Sequence, residues 1–289
     1  MRIAILIASY NRKEKTIACI RKVKEQELSN DVQLEIFLTD DASGDGTPEE
    51  VKRLFPEVNL YAGTGSLFWA GGMRNSWRKA LETGCDYFLL LNDDTVLFKN
   101  TIETLIQSNL DHFHQNSNHA ISVGTTKDIQ TGMISYGGRK LFSKYWSKSY
   151  LIESNCRNEE CQLGNANIML VPQNIVKTIG ILSDRFTHAF ADYDYTLRAL
   201  KAGFKVIVAP GILGTCTNDH GKLWKSSNVK LSERIKYLYS ATGLNCNEYL
   251  FYIGRHFPFQ LPSAFFKLWL KTLFPFVYDR YKKPSYGNY

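Results

Sequence analysis

Two neighbouring carboxylates, Asp93 and Asp94, follow Asn92 directly after the apolar run Tyr87-Phe88-Leu89-Leu90-Leu91. A continuous apolar run this short, bounded by polar residues, has the pattern of a strand buried on both faces. Carboxylates at the C-terminal end of such a strand sit where open α/β sheets place their ligand crevice. Adjacent acids in a partly desolvated place repel one another, so a cation stabilises them together. Read locally, the same residues also suit a solvated turn or a helix N-cap.

Three further stretches carry polar chemistry. Ser9-Tyr10-Asn11-Arg12 follows an apolar run from Ile3 to Ala8, and Thr39-Asp40-Asp41-Ala42-Ser43-Gly44-Asp45-Gly46-Thr47 follows Leu34 to Leu38. A carboxylate such as Asp40 at a strand end can accept hydrogen bonds from the N–H edge of a base or from a ribose hydroxyl. The Gly-x-Gly there lacks the third glycine of a dinucleotide fingerprint, and a turn leading into a helix is its plain alternative. The third stretch is Ala191-Asp192-Tyr193-Asp194-Tyr195-Thr196-Leu197-Arg198. Two acids, Asp192 and Asp194, stand in this stretch, and Asp194 and Arg198 are four apart, the spacing of a structural ion pair.

Elements that position these groups are legible from periodicity. Strand patterns cover 3–8, 34–38, 58–62, 87–91, 121–123, 133–136, 168–171 and 205–209. Helical patterns cover 13–26, with Ile17, Ile20 and Val23 on one stripe, then 47–55, 71–83, 100–113 and 193–202. Pro48 suits a first helical turn, and Gly84 and Gly203 suit helix stops. The alternation predicts an α/β fold with a mixed, mostly parallel sheet flanked by helices.

Composition narrows the class. The 289 residues are 44% hydrophobic, which suits one large α/β domain or two small ones. The apolar start reads as a first strand rather than a signal core. Six cysteines (19, 85, 156, 161, 216 and 246) form no Cys-x-x-Cys pair and read as buried or free thiols of a cytosolic protein. The net charge of +7 is uneven: from Gly221 onward eleven Lys and Arg face three acids. That stretch interleaves its cations with Phe, Trp, Leu and Tyr, a mixture that favours a membrane surface over nucleic acid.

In order and spacing, the polar stretches together resemble glycosyltransferase family 2. Ile7-Ala8-Ser9-Tyr10-Asn11-Arg12 resembles its opening turn, residues 40–47 its nucleotide motif, and Asn92-Asp93-Asp94 a variant of its Asp-x-Asp element. Residues 63–75, with Trp69, Gly71 and Arg74, resemble its donor-side glycine-rich segment, and 191–204 its acidic helix, with Ala191 in place of the first acid. The resemblance covers about residues 3–220. It implies a GT-A fold, inversion at the anomeric carbon, a UDP- or dTDP-sugar donor and Mg²⁺ or Mn²⁺. Carried over, Asp192 is the catalytic base, and Asp94, with His220, holds the metal. Ser9, Tyr10, Asn11, Arg12, Asp40, Ser43, Trp69, Gly71, Arg74, Asn92 and Asp93 meet the donor. Gly164, Asn165, Ala166 and Asn167 lie on the acceptor side. The domain expectation is a catalytic 1–220, divided into nucleotide-sugar binding over 1–98 and an acceptor side over 99–220, followed by a helical, basic and aromatic extension over 221–289.

Within that extension, Leu261 to Tyr281 carries Phe265, Phe266, Trp269, Phe274 and Phe276, interrupted by Lys267 and Lys271 and broken by Pro275. The charges argue against a spanning helix. An interfacial element beside Lys282 and Lys283 fits better, with packing on the catalytic domain or in a homodimer as the alternative. The expected setting is cytoplasmic, peripheral on the inner face of the membrane, with a glycan or lipid-linked glycan acceptor. Two other functions fit parts of the pattern. A nucleotidyltransferase would show a glycine-rich phosphate loop after strand one, where this chain has Ser9-Tyr10-Asn11-Arg12. A non-catalytic carbohydrate- or membrane-binding protein is suggested by Ala191 and Asn92.

Overall fold

A computed structural model describes residues 1–217 and 229–277. Its strands are β1 (Arg2–Ser9), β2 (Gln33–Asp40), β3 (Asn59–Ala62), β4 (Tyr87–Leu91), β5 (Val96–Leu97), β6 (Ala120–Lys127), β7 (Ile134–Tyr136), β8 (Gly138–Ser143), β9 (Trp146–Leu151), β10 (Glu159–Glu160), β11 (Leu163–Gly164), β12 (Ile168–Pro172) and β13 (Lys205–Thr215). The helices are α1 (Lys13–Lys24), α2 (Thr47–Leu54), α3 (Phe68–Leu81), α4 (Thr101–Asn116), α5 (Gln173–Ile179), α6 (Ala191–Lys201), α7 (Leu231–Tyr239), α8 (Cys246–His256) and α9 (Leu261–Leu273).

The chain forms two compact units. The first comprises Met1–Lys140, Leu151–Thr187 and Ala191–Asn218; the second comprises Leu141–Tyr150, His188–Phe190 and Asp219–Tyr289. In the first unit the main sheet runs in the order β10-β13-β6-β12-β4-β1-β2-β3, with β5 on β13 and β7 on β6. β1 pairs in parallel with β2 and β4, β2 with β3, and β6 with β13. β12 is antiparallel to both of its neighbours, β4 and β6. The carboxyl ends of β1, β2, β3, β4, β6 and β13 therefore share one edge of the sheet, and β12, running the other way between β4 and β6, begins there. The mixed, mostly parallel α/β architecture predicted from the sequence is present.

Both faces of the sheet are covered, which is why its strands read as unbroken apolar runs. Ile3, Ile5 and Ile7 of β1 pack with Ile17, Ile20 and Val23 of α1, Val51 of α2 and Ile102, Leu105 and Ile106 of α4. On the opposite face α3 lies against β1 so closely that a Cβ at Gly72 would sit 2.7 Å from the Ala8 Cβ. Trp77 of α3 is fully buried, 5.8 Å from the Phe88 ring and 5.3 Å from Tyr195 of α6. Gly72→Val is expected to cost about 1–3 kcal/mol by overpacking, measured as a lower urea midpoint. An unchanged midpoint would show that α3 is able to slide on β1.

Several boundaries differ from the sequence reading, among them β6 (Ala120–Lys127, expected over 121–123), and two of the differences have a physical cause near the site. The helix expected from Gly71 begins at Phe68, because the Asp41 carboxylate accepts the Phe68 N–H at 2.9 Å and caps α3 from a distant loop. The strand expected to stop at Ala209 continues through Pro210 to Thr215, absorbing the interruption in register shifts and at Gly211, whose φ is +79°.

Among the described residues, the second unit holds α7, α8 and α9 and the tip of the hairpin formed by β8 and β9. Leu268 of α9 packs with Leu238 of α7 and Cys246 of α8. Asn245 caps α8, its side chain accepting the Glu248 N–H. α9 ends at Leu273, two residues before Pro275. His220, Tyr278, Lys282 and Lys283 lie outside the described residues.

Candidate active site

The shared carboxyl edge gathers the loops singled out from the sequence. The register places Ser9 beside Asp40, and the loops beyond them are stitched together. The Asn11 N–H donates to Ser43 Oγ, and the Gly44 N–H donates to Asn11 Oδ1, both at 2.8 Å. Asp40 is buried, and its two oxygens accept from the Ser43 N–H at 2.8 Å and the Ser43 hydroxyl at 2.6 Å. Ser9 Oγ pairs with Thr16 Oγ1 at 2.7 Å, and Tyr10 is exposed.

Asp41, to which the sequence reading gave no role, organises the glycine-rich segment. Its carboxylate accepts N–H groups from Thr64 at 3.1 Å, Gly65 at 2.8 Å and Phe68 at 2.9 Å. Gly71 lies in the first turn of α3, one residue before the close approach to Ala8. Trp69 reaches the third loop, donating from Nε1 to Asn92 Oδ1 at 2.7 Å. Arg74, expected at the donor, is buried and engaged elsewhere: its Nη1 donates to the carbonyls of Ser183 at 2.9 Å and Phe186 at 2.7 Å. With the Ala70 N–H on the Thr187 carbonyl, it joins α3 to the segment preceding α6.

At the end of β4 the two carboxylates share a guanidinium. Arg12 Nη1 lies 3.1 Å from Asp93 Oδ1 and 2.8 Å from Asp94 Oδ2. Asp93 is buried, which pushes its carboxyl up to about 6; the Arg12 charge opposes the shift and the Asp94 charge adds to it. Cys216, at the end of β13, donates from Sγ towards Asp94 Oδ1 at 3.4 Å. Burial drives its thiol up to about 12. Cys19 of α1 is also buried, its Sγ 3.5 Å from the Asn92 carbonyl. No sequence signal placed either thiol here, because each arrives from a distant element.

The reversed direction of β12 brings in the fourth group. Because β12 starts at the carboxyl edge, with Ile168 opposite Leu91, the preceding residues 165–167 lie between two sets of acids. Asn167 donates from Nδ2 to Cys216 Sγ at 3.4 Å, and its carbonyl accepts the Asn92 N–H at 3.2 Å. At the other end, Asp192 Oδ2 accepts from Asn165 Nδ2 at 3.4 Å and the Ala166 N–H at 3.3 Å, and Oδ1 accepts the N–H of Tyr193. Gly164 pairs with Gly138, and a Cβ on it would meet Val123 at 2.7 Å. Asp192 sits in the first turn of α6, where the helix dipole favours a carboxylate. Burial nevertheless raises its pKa to about 6. Asp194 is fully buried and takes Arg198 Nε at 2.9 Å, while that guanidinium also binds the carbonyls of Ile179 and Ile181. This pair holds α6 in place.

Four non-glycine residues with positive φ border these loops: Asn11 at 51°, Ala42 at 61°, Phe68 at 53° and Phe190 at 66°. Each such conformation costs on the order of 1–3 kcal/mol and persists where its surroundings over-determine it.

The acid pair fits a hard divalent cation that shares its shell with a phosphorylated ligand. Oxygens of Asp93 and Asp94 already converge on one positive group, the Arg12 guanidinium. Among the described residues no cluster of three or more His, Cys, Asp or Glu forms a metal cage, and Mg²⁺ or Mn²⁺ commonly takes one or two carboxylates plus substrate phosphates.

Residues 4–173 match the family model for glycosyl transferase family 2. No curated protein matches the sequence. Among solved structures, a mannosyltransferase from Pyrobaculum calidifontis in complex with GDP-Man and Mn²⁺ is similar, with a TM-score of 0.54 and 16% identity over 94% of this chain and 75% of that one. S. aureus TarS 1-349 in complex with UDP-GlcNAc superposes with a TM-score of 0.55 and 16% identity, over 96% of this chain and 81% of that one. At these identities the likeness is one of fold.

Proposed function

The chain belongs to glycosyl transferase family 2, and on that premise we propose an inverting, metal-dependent transfer of a hexosyl or deoxyhexosyl group from a UDP- or dTDP-sugar to a growing cell-surface glycan. One observation carries the reading. The segment Asn165-Ala166-Asn167 touches a proton acceptor, Asp192, at one end and the Asn92–Asp94 loop at the other.

Inverting displacement needs a base on the acceptor side and positive charge on the leaving-group side. Asp192 is the base: its carboxylate takes the proton of the acceptor hydroxyl as that oxygen attacks the anomeric carbon. Asn165 and the Ala166 N–H hold the carboxylate in place. Asp94 and Asp93 would hold Mg²⁺ or Mn²⁺, which when bound neutralises charge developing on the departing diphosphate. Arg12, on an exposed loop beside both acids, adds a second positive charge. Trp69 orients Asn92 towards the donor, and the Asp40–Ser43 lock fixes the loop assigned to the nucleotide. The proposed acceptor is a membrane-carried glycan, with the C-terminal helices on an anionic surface. Among the described residues no helix is long and apolar enough to cross a membrane.

A thermal-shift screen of UDP-, dTDP- and GDP-sugars with and without Mn²⁺ tests the donor assignment. A UDP- or dTDP-sugar is expected to raise the midpoint, more so with Mn²⁺. Failure of every nucleotide sugar to bind would overturn the reading. The pH profile follows from Asp192. Ionisation makes it a base, so the transfer rate is expected to rise tenfold per pH unit below about 6 and level off above it. A rate flat from pH 5 to 8 would remove Asp192 from that role.

A further inference from the structure

The second unit carries an exposed aromatic surface that the transfer chemistry does not use. Side chains of a hairpin alternate between two faces, and in β8–β9 the usual polarity is inverted. Ser143, Ser147 and Ser149 are partly covered, whereas Phe142, Trp146, Lys148 and Tyr150 are exposed. The Phe142 and Tyr150 rings pack 4.9 Å apart, with Lys148 Nζ 5.1 Å over Phe142 and Lys144 Nζ 5.2 Å over Tyr145. The hairpin is fastened to the turn before α9. Tyr145 meets Phe259 edge-on at 5.9 Å, the Ser147 N–H donates to Gln260 Oε1 at 2.7 Å, and Gln260 Nε2 donates to Ser147 Oγ at 3.0 Å. α9 itself has two stripes. Ala264, Leu268 and Thr272 are buried, while Phe265, Phe266 and Leu273 are exposed, Phe266 by 66%.

We propose that hairpin β8–β9 and the exposed stripe of α9 together form a docking surface for an anionic lipid bilayer. The proposal extends the membrane-facing reading of the C-terminal helices to the hairpin, and its physical basis is independent of the transferase reading. Residues 141–150 and 257–277 contain Lys144, Lys148, Lys267 and Lys271 and no Asp or Glu. A second copy of the chain docked on this surface would set lysine against lysine with no carboxylate between them. An anionic headgroup layer answers both features, since lysines reach phosphates while aromatic rings enter the acyl boundary.

The test is sedimentation of the full chain with vesicles of phosphatidylcholine alone and of phosphatidylcholine mixed with phosphatidylglycerol. Wild type is expected to favour the mixed vesicles. Lys144→Glu with Lys148→Glu, Phe142→Ser with Trp146→Ser, and Phe265→Ser with Phe266→Ser are each expected to lower that partitioning on the order of tenfold or more. Their nucleotide-sugar binding should match wild type. Because the serine variants remove packing, quenching by brominated lipid gives a second readout in a folded protein: wild-type tryptophan emission is quenched, and that of Trp146→Phe less so. Equal binding to both vesicle types, or hairpin variants that bind like wild type, would overturn the proposal. So would light scattering that shows these substitutions splitting a dimer. Failure of wild type to bind any nucleotide sugar would count against the transferase reading while leaving the vesicle result intact.

Discussion

Replacing Asp192 with Asn is expected to lower turnover on the order of 10²–10⁴-fold and, at the same time, to make the protein more stable. The two effects have one cause. Burial raises the Asp192 carboxyl from its ordinary 3.8 to about 6, so the folded state holds the proton more tightly than the unfolded chain does. Its contribution to stability is therefore fully present below the ordinary value and is lost as pH rises through about 6. At neutral pH the ionised carboxylate strains the fold, and Asn removes that strain. The expected gain is about 2 kcal/mol after discounting for partial exposure to solvent. Urea unfolding near pH 7 and transfer assays on the same preparation read both effects. Donor binding should stay close to wild type, because Asp192 touches residues 165, 166 and 193 and none of the donor loops. Retained turnover would sink the base assignment. A carboxylate with only a structural role would give lost stability in place of the gain.

The second large effect is expected at Asp94. Asp94→Asn should lower transfer on the order of 10²–10³-fold and weaken Mn²⁺ binding measured by titration calorimetry in the presence of nucleoside diphosphate. Arg12→Gln should act in two directions. In the ligand-free protein it is expected to strengthen Mn²⁺ binding, because the guanidinium occupies the carboxylate oxygens proposed for the metal. In the transfer assay it lowers the rate, because a positive charge beside the diphosphate is gone. Transfer that survives exhaustive chelation, with Asp94→Asn matching wild type, would remove the metal from the proposed mechanism.

Most of the first unit was legible because its strands are buried on both sides. The runs at 3–8, 34–38 and 87–91 are continuous and end in polar loops, so both strands and site loops announce themselves. Direction is not written in such a run. Residues 168–171 read as a strand, but their antiparallel placement between β4 and β6 depends on the rest of the sheet, and it is this placement that brings Asn167 to Asn92. Adjacent acids are equally hard to sort. Asp40 and Asp41 are chemically alike, yet the first is locked to Ser43 and the second caps α3 across 27 residues. Arg74 shows the same limit, since its carbonyl partners lie more than a hundred residues away. The hairpin at 138–151 escaped the sequence reading for a different reason. Its aromatic residues alternate with serines as in an ordinary strand pair, but the aromatic side is the one facing water.

The placement of β12 and β13 also bears on how the protein is made. Asn92 meets Asn167, and Asp94 meets Cys216 across 122 residues, so the loop at the end of β4 is closed by contacts with segments made much later in the chain. Closing large loops is slow, because their chain entropy is lost before the contacts form. On a ribosome the segment through β4 can collapse around α1 to α3 early, yet neither Asp192 nor the strands that complete the acid loop have then been synthesised. A nascent chain thus holds the loops proposed for the nucleotide before it holds Asp192, the proposed proton acceptor. The proposed site is complete only after about three-quarters of the chain has emerged.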